Sequence, residues 1–337
     1  MNRLHALLAL AGMMLTHAAC AHSDPAPQAA PTRMRVATYN VEWMNALQPT
    51  GRMKNLKSVV KSLDADIIGL QEIQDRLTLT KIFDDSWDYG VYSDKDNRQN
   101  PAIAVRKPYV LKSFTLLFPD KALDFAFPNR RDVLHAVVQT PAGETVNLYV
   151  LHLKSRRGGR LTTDPQRHQA AALLSDYLKK EKPANAIVLG DFNDSPDDAT
   201  ANILETGDPR AKGGKVEPSL LFNLTEANWE RDECTIGLHE LFEGEKLSPV
   251  VKGAREDNSR LAGKDYNFPA DVKVEQTMFD QILVGESLWK RSDKKAVVYT
   301  GEDALRGVKE PASARELASD HLPVYADFKL PLTAPLK

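Results

Sequence analysis

The chain has 337 residues, 42% hydrophobic and 27% charged, enough for an apolar core that needs no disulfide or structural metal. With 44 basic and 46 acidic residues its formal net charge is −2, which excludes a globally basic nucleic-acid binder; any such patch must be local. Two cysteines, Cys20 and Cys234, exclude a disulfide framework.

Residues 1–21 read as an export signal: Arg3 gives a basic start, Leu4 to Leu15 is apolar but too short to span a bilayer, and Ala19-Cys20-Ala21 offers small residues for cleavage. In a second reading the signal ends at Ala19 and Cys20 carries a lipid anchor, although His17 sits where such signals usually have an aliphatic residue. The expected location is therefore periplasmic or secreted, with outer-membrane lipoprotein as the alternative. Residues 22–33, rich in Pro and Ala, read as a disordered leader. One folded domain is expected over 34–330, as a monomer, with a tail at 331–337.

Within that domain Arg35–Tyr39 opens as a strand, and Leu56, Val59, Val60 and Leu63 place a helix over Met53–Leu63. Asp66–Leu70 is a short apolar run that suits a buried strand. Strands are predicted at Ala102–Val105, Leu134–Val138 and Val146–Leu151, and a helix begins at Asp164-Pro165 and runs to Leu178. Ala186–Leu189, Phe279–Val284 and Val324–Phe328 complete the strands. The stretch 207–275 is the least periodic and reads as long loops, where substrate choice often resides. Sheets covered by helices follow from this alternation; periodicity alone does not choose the topology.

Polar clusters recur at the ends of the apolar runs. Asn40 and Glu42 follow the first strand, Gln71 and Glu72 the second, His152 and Lys154 the run 146–151, and Asp191, Asn193 and Asp194 the run 186–189. Asp280 lies in Phe279–Val284, and Asp320-His321 precedes the last strand. A single Asp at a strand end is usually a turn or cap residue, but so many acidic, amide and imidazole ends suggest one shared cleft. Clustered carboxylates repel one another unless a cation neutralises them, and oxygen donors such as Glu72 and Asp320 suit Mg²⁺, Mn²⁺ or Ca²⁺. No HExxH or CxxC pattern argues for zinc.

The ordered segments Thr38-Tyr39-Asn40-Val41-Glu42, Gly69-Leu70-Gln71-Glu72, His152-Leu153-Lys154-Ser155, Gly190-Asp191-Phe192-Asn193, Phe279-Asp280-Gln281-Ile282 and Ser319-Asp320-His321 resemble the motifs of the DNase I-like endonuclease/exonuclease/phosphatase superfamily, here as a secreted bacterial member. The resemblance runs from about Arg35 to Phe328. It implies a four-layer α/β/β/α sandwich of two mixed β-sheets flanked by helices. It implies Glu72 as the main metal ligand with Asn40, Glu42 and Asp320 near it. His321 becomes a general base or phosphate-orienting group, and Asp280 the carboxylate that holds its tautomer. The resemblance further implies that Asp191 and Asn193 position water and phosphate oxygens and that His152 lies near the leaving oxygen. Whether one metal or two act, and whether Asp191 or His321 takes the proton, stays open.

Arg130-Arg131 and the segment holding Lys154, Arg156, Arg157, Arg160 and Arg167 would form a basic loop tracking a nucleic-acid backbone, with Arg131, Lys154 and Arg156 as phosphate contacts. The alternative is that these arginines are solvated or pair with nearby Asp. An exported nuclease is the leading reading. A lipid or small phosphoester hydrolase would instead need an exposed apolar loop, for which Phe222, Trp229 and Phe242 are the candidates. A non-catalytic binding module would not need the full acid, amide and imidazole set.

Overall fold

A computed structural model describes residues 33–93, 97–157, 159–231, 233–236, 277–306 and 316–330. The expected signal, the leader up to residue 32 and the tail, with Cys20 and Phe242, lie outside the described residues, and Arg33, expected to end the leader, opens the first strand. In chain order the elements begin β1 (Arg33–Met44), α1 (Thr50–Leu63), β2 (Ile67–Ile73), α2 (Arg76–Ile82), β3 (Trp87–Val91), β4 (Asn100–Arg106), β5 (Val110–Leu117), β6 (Val133–Gln139) and β7 (Thr145–His152). They continue with α3 (Arg160–Glu181), β8 (Ala186–Asp191), α4 (Ala199–Thr206), β9 (Phe222–Asn223), α5 (Glu226–Glu230), β10 (Asp280–Val284), α6 (Glu286–Trp289), β11 (Val297–Val298) and β12 (Val324–Lys329).

The strands form two mixed six-stranded sheets, ordered β11-β12-β1-β2-β4-β3 and β5-β6-β7-β8-β10-β9. The central pairs, β1 with β2 and β7 with β8, are parallel; their neighbours run antiparallel. The central strands are buried on both faces and therefore read as continuous apolar runs. Gly69 of β2 marks where the sheets meet: a β-carbon there would lie 2.1 Å from the Leu189 side chain. Leu56, Val59 and Leu63 of α1 join the apolar cluster of the first sheet, while Leu174 and Leu178 of α3 and Leu204 of α4 pack with Val188 and Phe192 on the outside of the second. The result is the four-layer sandwich expected from the motifs.

Strand and helix positions differ from expectation in instructive places. β3 and β5 went unassigned in sequence because edge strands are half-exposed and carry no continuous apolar run. The helix predicted from Asp164 begins a turn earlier, at Arg160, and carries Pro165 inside it. Proline removes a backbone donor there. Ion pairs brace this turn: Arg160 pairs with Asp164 at 3.1 Å and Asp198 at 2.6 Å, and Arg167 closes on Asp164 as well. Cys234 is buried in the main core, which both sheets share, as a small hydrophobe. No described helix is long and apolar enough to cross a membrane.

Candidate active site

The two parallel pairs present their C-terminal ends on one side of the sandwich, and the antiparallel β10 and β12 present their N-terminal ends there. Register then aligns the chemistry. His152 of β7 lies beside Asp191 of β8, and Asp191 beside Asp280 of β10, a row across three neighbouring strands. In the other sheet Asn40 of β1 lies beside Gln71 of β2, one residue before Glu72.

Local irregularity turns these side chains inward. The β1–β2 register shifts between Asn40 and Met44, and the β2–β4 register between Leu70 and Ile73. Such bulges re-aim side chains and concentrate near active sites. Glu42, Trp43, Glu72 and Asn193 all adopt positive φ, at 46°, 49°, 64° and 51°. Non-glycine residues held there are strained by about 1–3 kcal/mol each and persist where the surroundings fix them. The fixing contacts are present. Asn40 Nδ2 donates to Glu72 Oε1 at 3.1 Å and to Asp191 Oδ2 at 2.9 Å, stitching the two sheets together. Trp43 N–H donates to Glu72 Oε2 at 2.9 Å, and Asn193 N–H to Asp191 Oδ1 at 2.8 Å. Gly190, at φ +143°, admits β8 to this arrangement, since a β-carbon would sit 2.1 Å from the Leu151 carbonyl oxygen.

His321 and His152 face this carboxylate group with opposite electrostatics. His321 Nδ1 donates to Asp280 Oδ2 at 2.7 Å, while Nε2 lies 4.0 Å from Asp191 and 3.9 Å from Asp320. Burial alone would pull the His321 pKa down, but Asp280, Asp320 and Asp191 outweigh it and hold it well above the ordinary value. Ser319 Oγ donates to the Asn40 carbonyl at 2.6 Å and accepts the His321 N–H at 3.1 Å, tying the histidine's loop to the end of β1. His152 Nε2 lies 3.7 Å from both Glu72 and Asp191 and accepts from Arg131 Nη1 at 3.0 Å. Burial and the Arg131 charge push its pKa well below the ordinary value, so this ring is neutral. Burial also lifts Asp191, against His321 and with Asp280, to about 7.

The structure thus brings Asn40, Glu72, His152, Asp191, Asn193, Asp280, Asp320, His321 and Arg131 to one place. Three expected participants, Glu42, Lys154 and Arg156, have charged groups engaged by other partners. Glu42 stays beside Asn40, donating its N–H to Asn40 Oδ1 at 3.0 Å, and its carboxylate lies 3.2 Å from Arg52, which also grips the Glu42 and Val41 carbonyls. Arg156, expected on phosphate, is 3% exposed and engages Asp194 at 3.1 Å, Asp198 at 2.5 Å and the Asn193 carbonyl at 3.1 Å. Arg160 and Arg167 are buried in the same network, so the pairing alternative holds for these three, and the expected basic loop is largely internal. Lys154 is half-buried and donates to the Ser155 and Arg157 carbonyls. His168 is half-buried on α3. Of the aromatic candidates, Trp229 is fully buried and Phe222 stacks on Trp289. Sequence reasoning missed Arg52, which carries no motif, and Ser319's two-sided role. It also missed Trp43, 53% exposed beside Glu72.

The sequence pattern of the Endonuclease/Exonuclease/phosphatase family matches residues 37–321. The chain belongs to that family. It is 24% identical over 310 residues to exodeoxyribonuclease III of Haemophilus influenzae, covering 88% of this chain and all of that protein. Among solved structures, D. rerio TDP2 complexed with single strand DNA product superposes with a TM-score of 0.59 at 19% identity, over 89% of this chain and 100% of that one. An endonuclease/exonuclease/phosphatase family protein from Bacteroides thetaiotaomicron gives 0.56 at 18% identity, over 89% and 99%. The likeness to both structures is one of fold. As a member of this family the chain is a phosphoester-hydrolysing enzyme.

Proposed function

We propose that the protein is an exported, divalent-metal-dependent nuclease that hydrolyses DNA or RNA phosphodiester bonds by attack of water. The observation that carries this reading is the row His152–Asp191–Asp280 facing Glu72 and His321, which supplies opposed groups for a charged phosphate. The single-stranded DNA product bound by the TDP2 relative and the name of the Haemophilus relative support the choice of substrate. The apolar loop that a lipid substrate would need loses Trp229 to the core and Phe222 to the stack on Trp289.

His321, charged through neutral pH, faces the phosphate and holds a non-bridging oxygen, with Asp280 fixing its orientation. Asp191, with its carboxyl near 7 and its Oδ1 pinned by the Asn193 N–H, takes the proton of the attacking water. Arg131 and neutral His152 stand where the leaving oxygen departs, and the Arg131 guanidinium stabilises its charge. Mg²⁺ keeps several waters and needs only one or two carboxylates from the protein. Glu72 would hold it, with Asp320 close by; all these donors are hard oxygens, while Asn40 spends its amide nitrogen on Glu72 and Asp191. The ion would neutralise phosphate charge and polarise its oxygens.

Purified protein is expected to nick plasmid DNA in Mg²⁺ or Mn²⁺ and to stop on addition of EDTA. Cleavage of bis-p-nitrophenyl phosphate with DNA and RNA left intact would end the nuclease reading and leave the phosphodiesterase. For Glu72→Gln we expect the Mg²⁺ concentration giving half-maximal rate to rise at least about tenfold. Thermal stability should fall modestly, because glutamine keeps an oxygen for Asn40 or Trp43 but turns its amide nitrogen toward the other donor. An unchanged Mg²⁺ dependence would remove Glu72 from the metal site. Secretion is checked separately, by finding mature protein that lacks residues 1–21 outside the cytoplasm.

A further inference from the structure

A cavity of about 360 Å³ opens where α4, β9, α5 and α6 meet, at the far end of β10 from Asp280. Phe222 pairs with Val284, so β10 spans the sheet from the catalytic row to this cavity, roughly 10–15 Å at a strand's rise per residue. No step of the proposed hydrolysis uses its residues.

Two polar side chains that are more than nine-tenths buried line it with unused acceptor capacity. Glu205, 7% exposed, accepts the Asn223 N–H on Oε1 at 3.2 Å; among the described residues nothing donates to its other oxygen and no cation pairs with it. Asn202, 1% exposed, spends both amide hydrogens on the Lys212 and Gly214 carbonyls, at 2.6 and 2.7 Å, and its Oδ1 receives no donor among the described residues. Neither free acceptor is sealed inside the protein: both residues line the cavity, where a bound donor can take the place of water. Glu226 and Glu230, one helical turn apart on α5, and Glu217 add negative charge around it. Lys215 is the counter-charge of Glu230, at 3.6 Å, and Lys294 lies against the Trp289 ring, 5.8 Å from its centroid. The remaining flank is flat and apolar: Trp289 and Phe222 stack with centroids 5.0 Å apart.

A wall of acceptors beside stacked rings calls for a ligand that is positively charged, rich in N–H groups and planar. Guanidinium meets all three conditions: it offers five donors in one plane, carries a permanent charge and packs on aromatic rings. We propose that this cavity is a binding site for a guanidinium group, read by Glu205 and Asn202 against the Trp289–Phe222 flank. The group would come either from a free small molecule or from an arginine side chain of another protein.

The electrostatics of Glu205 supply an independent signature. Burial pushes its carboxyl up to about 8, with Glu226 adding to the rise and the Asn223 N–H opposing it. Near pH 7 the empty site is therefore mostly protonated, and a guanidinium would expel that proton. Calorimetric titration of the full-length protein with agmatine should then show saturable binding with close to one proton released per ligand, measured by comparing phosphate and Tris buffers at pH 7. Affinity should rise as pH climbs from 6 to 8, by up to tenfold per unit. Guanidinium itself does not titrate in that range. Glu205→Gln should abolish the proton release and weaken binding at least tenfold. Glu226→Gln should weaken it about threefold and serves if the first variant folds poorly. The same titration with acetyl-Gly-Arg-Gly-amide separates the sources: tighter binding of the peptide points to a protein partner, and binding of agmatine alone to a metabolite. Absence of saturable binding to both probes at 10 mM, or binding that Glu205→Gln leaves unaltered, overturns the proposal.

Discussion

His321→Gln is expected to hydrolyse a phosphodiester about 10³-fold more slowly than the wild type, within the range general acid–base and charge-stabilising groups contribute. That is roughly 4 kcal/mol of transition-state stabilisation. Glutamine is the sharper test than alanine. Asp280 is fully buried, its Oδ2 is bonded to His321, and its Oδ1 has no partner among the described residues. Alanine would strand a buried carboxylate and confuse folding with chemistry. Glutamine can still donate to Asp280 but cannot carry charge, and His321→Ala should show the same loss if it folds. Asp280→Asn adds a pH readout. His321 is held well above its ordinary pKa chiefly by Asp280, so removing that charge lets it fall back toward the usual histidine range. As pH rises past about 6.5 the variant should lose the charged imidazole, and with it activity, while the wild type stays active through neutral pH. Turnover of His321→Gln within a factor of three of wild type, measured on bis-p-nitrophenyl phosphate, would take His321 out of the reaction.

The sandwich was legible because its central strands are buried on both faces and therefore spell themselves as apolar runs, from Ile67 through Leu70 and from Ala186 through Leu189. The cleft was legible for a related reason: functional side chains sit where those runs stop. What sequence spacing does not encode is the direction a side chain takes after a bulge. Glu42 and Glu72 look alike as acids that end a strand, and both take positive φ. The Glu72 carboxylate accepts from Asn40 beside the carboxylate row; the Glu42 carboxylate pairs with Arg52 from α1, ten residues on, and only its N–H reaches Asn40. The arginines after His152 illustrate the same limit. A run of basic residues beside a phosphate motif has the composition of a nucleic-acid loop. Its actual partners, Asp194 and Asp198, lie 38 and 42 residues further on from Arg156 and are reached only once α3 and α4 pack together.

That packing makes Asp194→Ala the substitution with the largest expected effect on stability. Asp164, Asp194 and Asp198 meet Arg156, Arg160 and Arg167, three anions against three cations, and all but Asp164 are almost completely buried. Asp194 sits at the centre. It accepts from Arg156 at 3.1 Å, pairs with Arg167 at 2.8 Å and accepts from Thr200. Burial would raise its pKa, but Arg167, Arg156 and Arg160 together hold it well below the ordinary carboxylate range. A folded-state pKa below the unfolded one means stability that is present above the ordinary carboxylate pKa and lost as pH falls toward the depressed value. Removing Asp194 leaves three buried guanidinium groups with two carboxylates, a charge defect that typically costs about 3–5 kcal/mol, or roughly 5–8 °C in melting temperature for a domain of this size. The deficit relative to wild type should be large at pH 7 and shrink in strong acid. Activity should fall further than stability alone explains, because the network reaches the site: Arg156 Nε donates to the Asn193 carbonyl and Gln281 Nε2 to the Asp194 carbonyl. Both bonds fix the turn that aims Asn193 N–H at Asp191. A melting temperature within 2 °C of wild type at pH 7 would show that the guanidinium groups find other partners, and the network would then be incidental to the geometry of the Asp191–Asn193 turn.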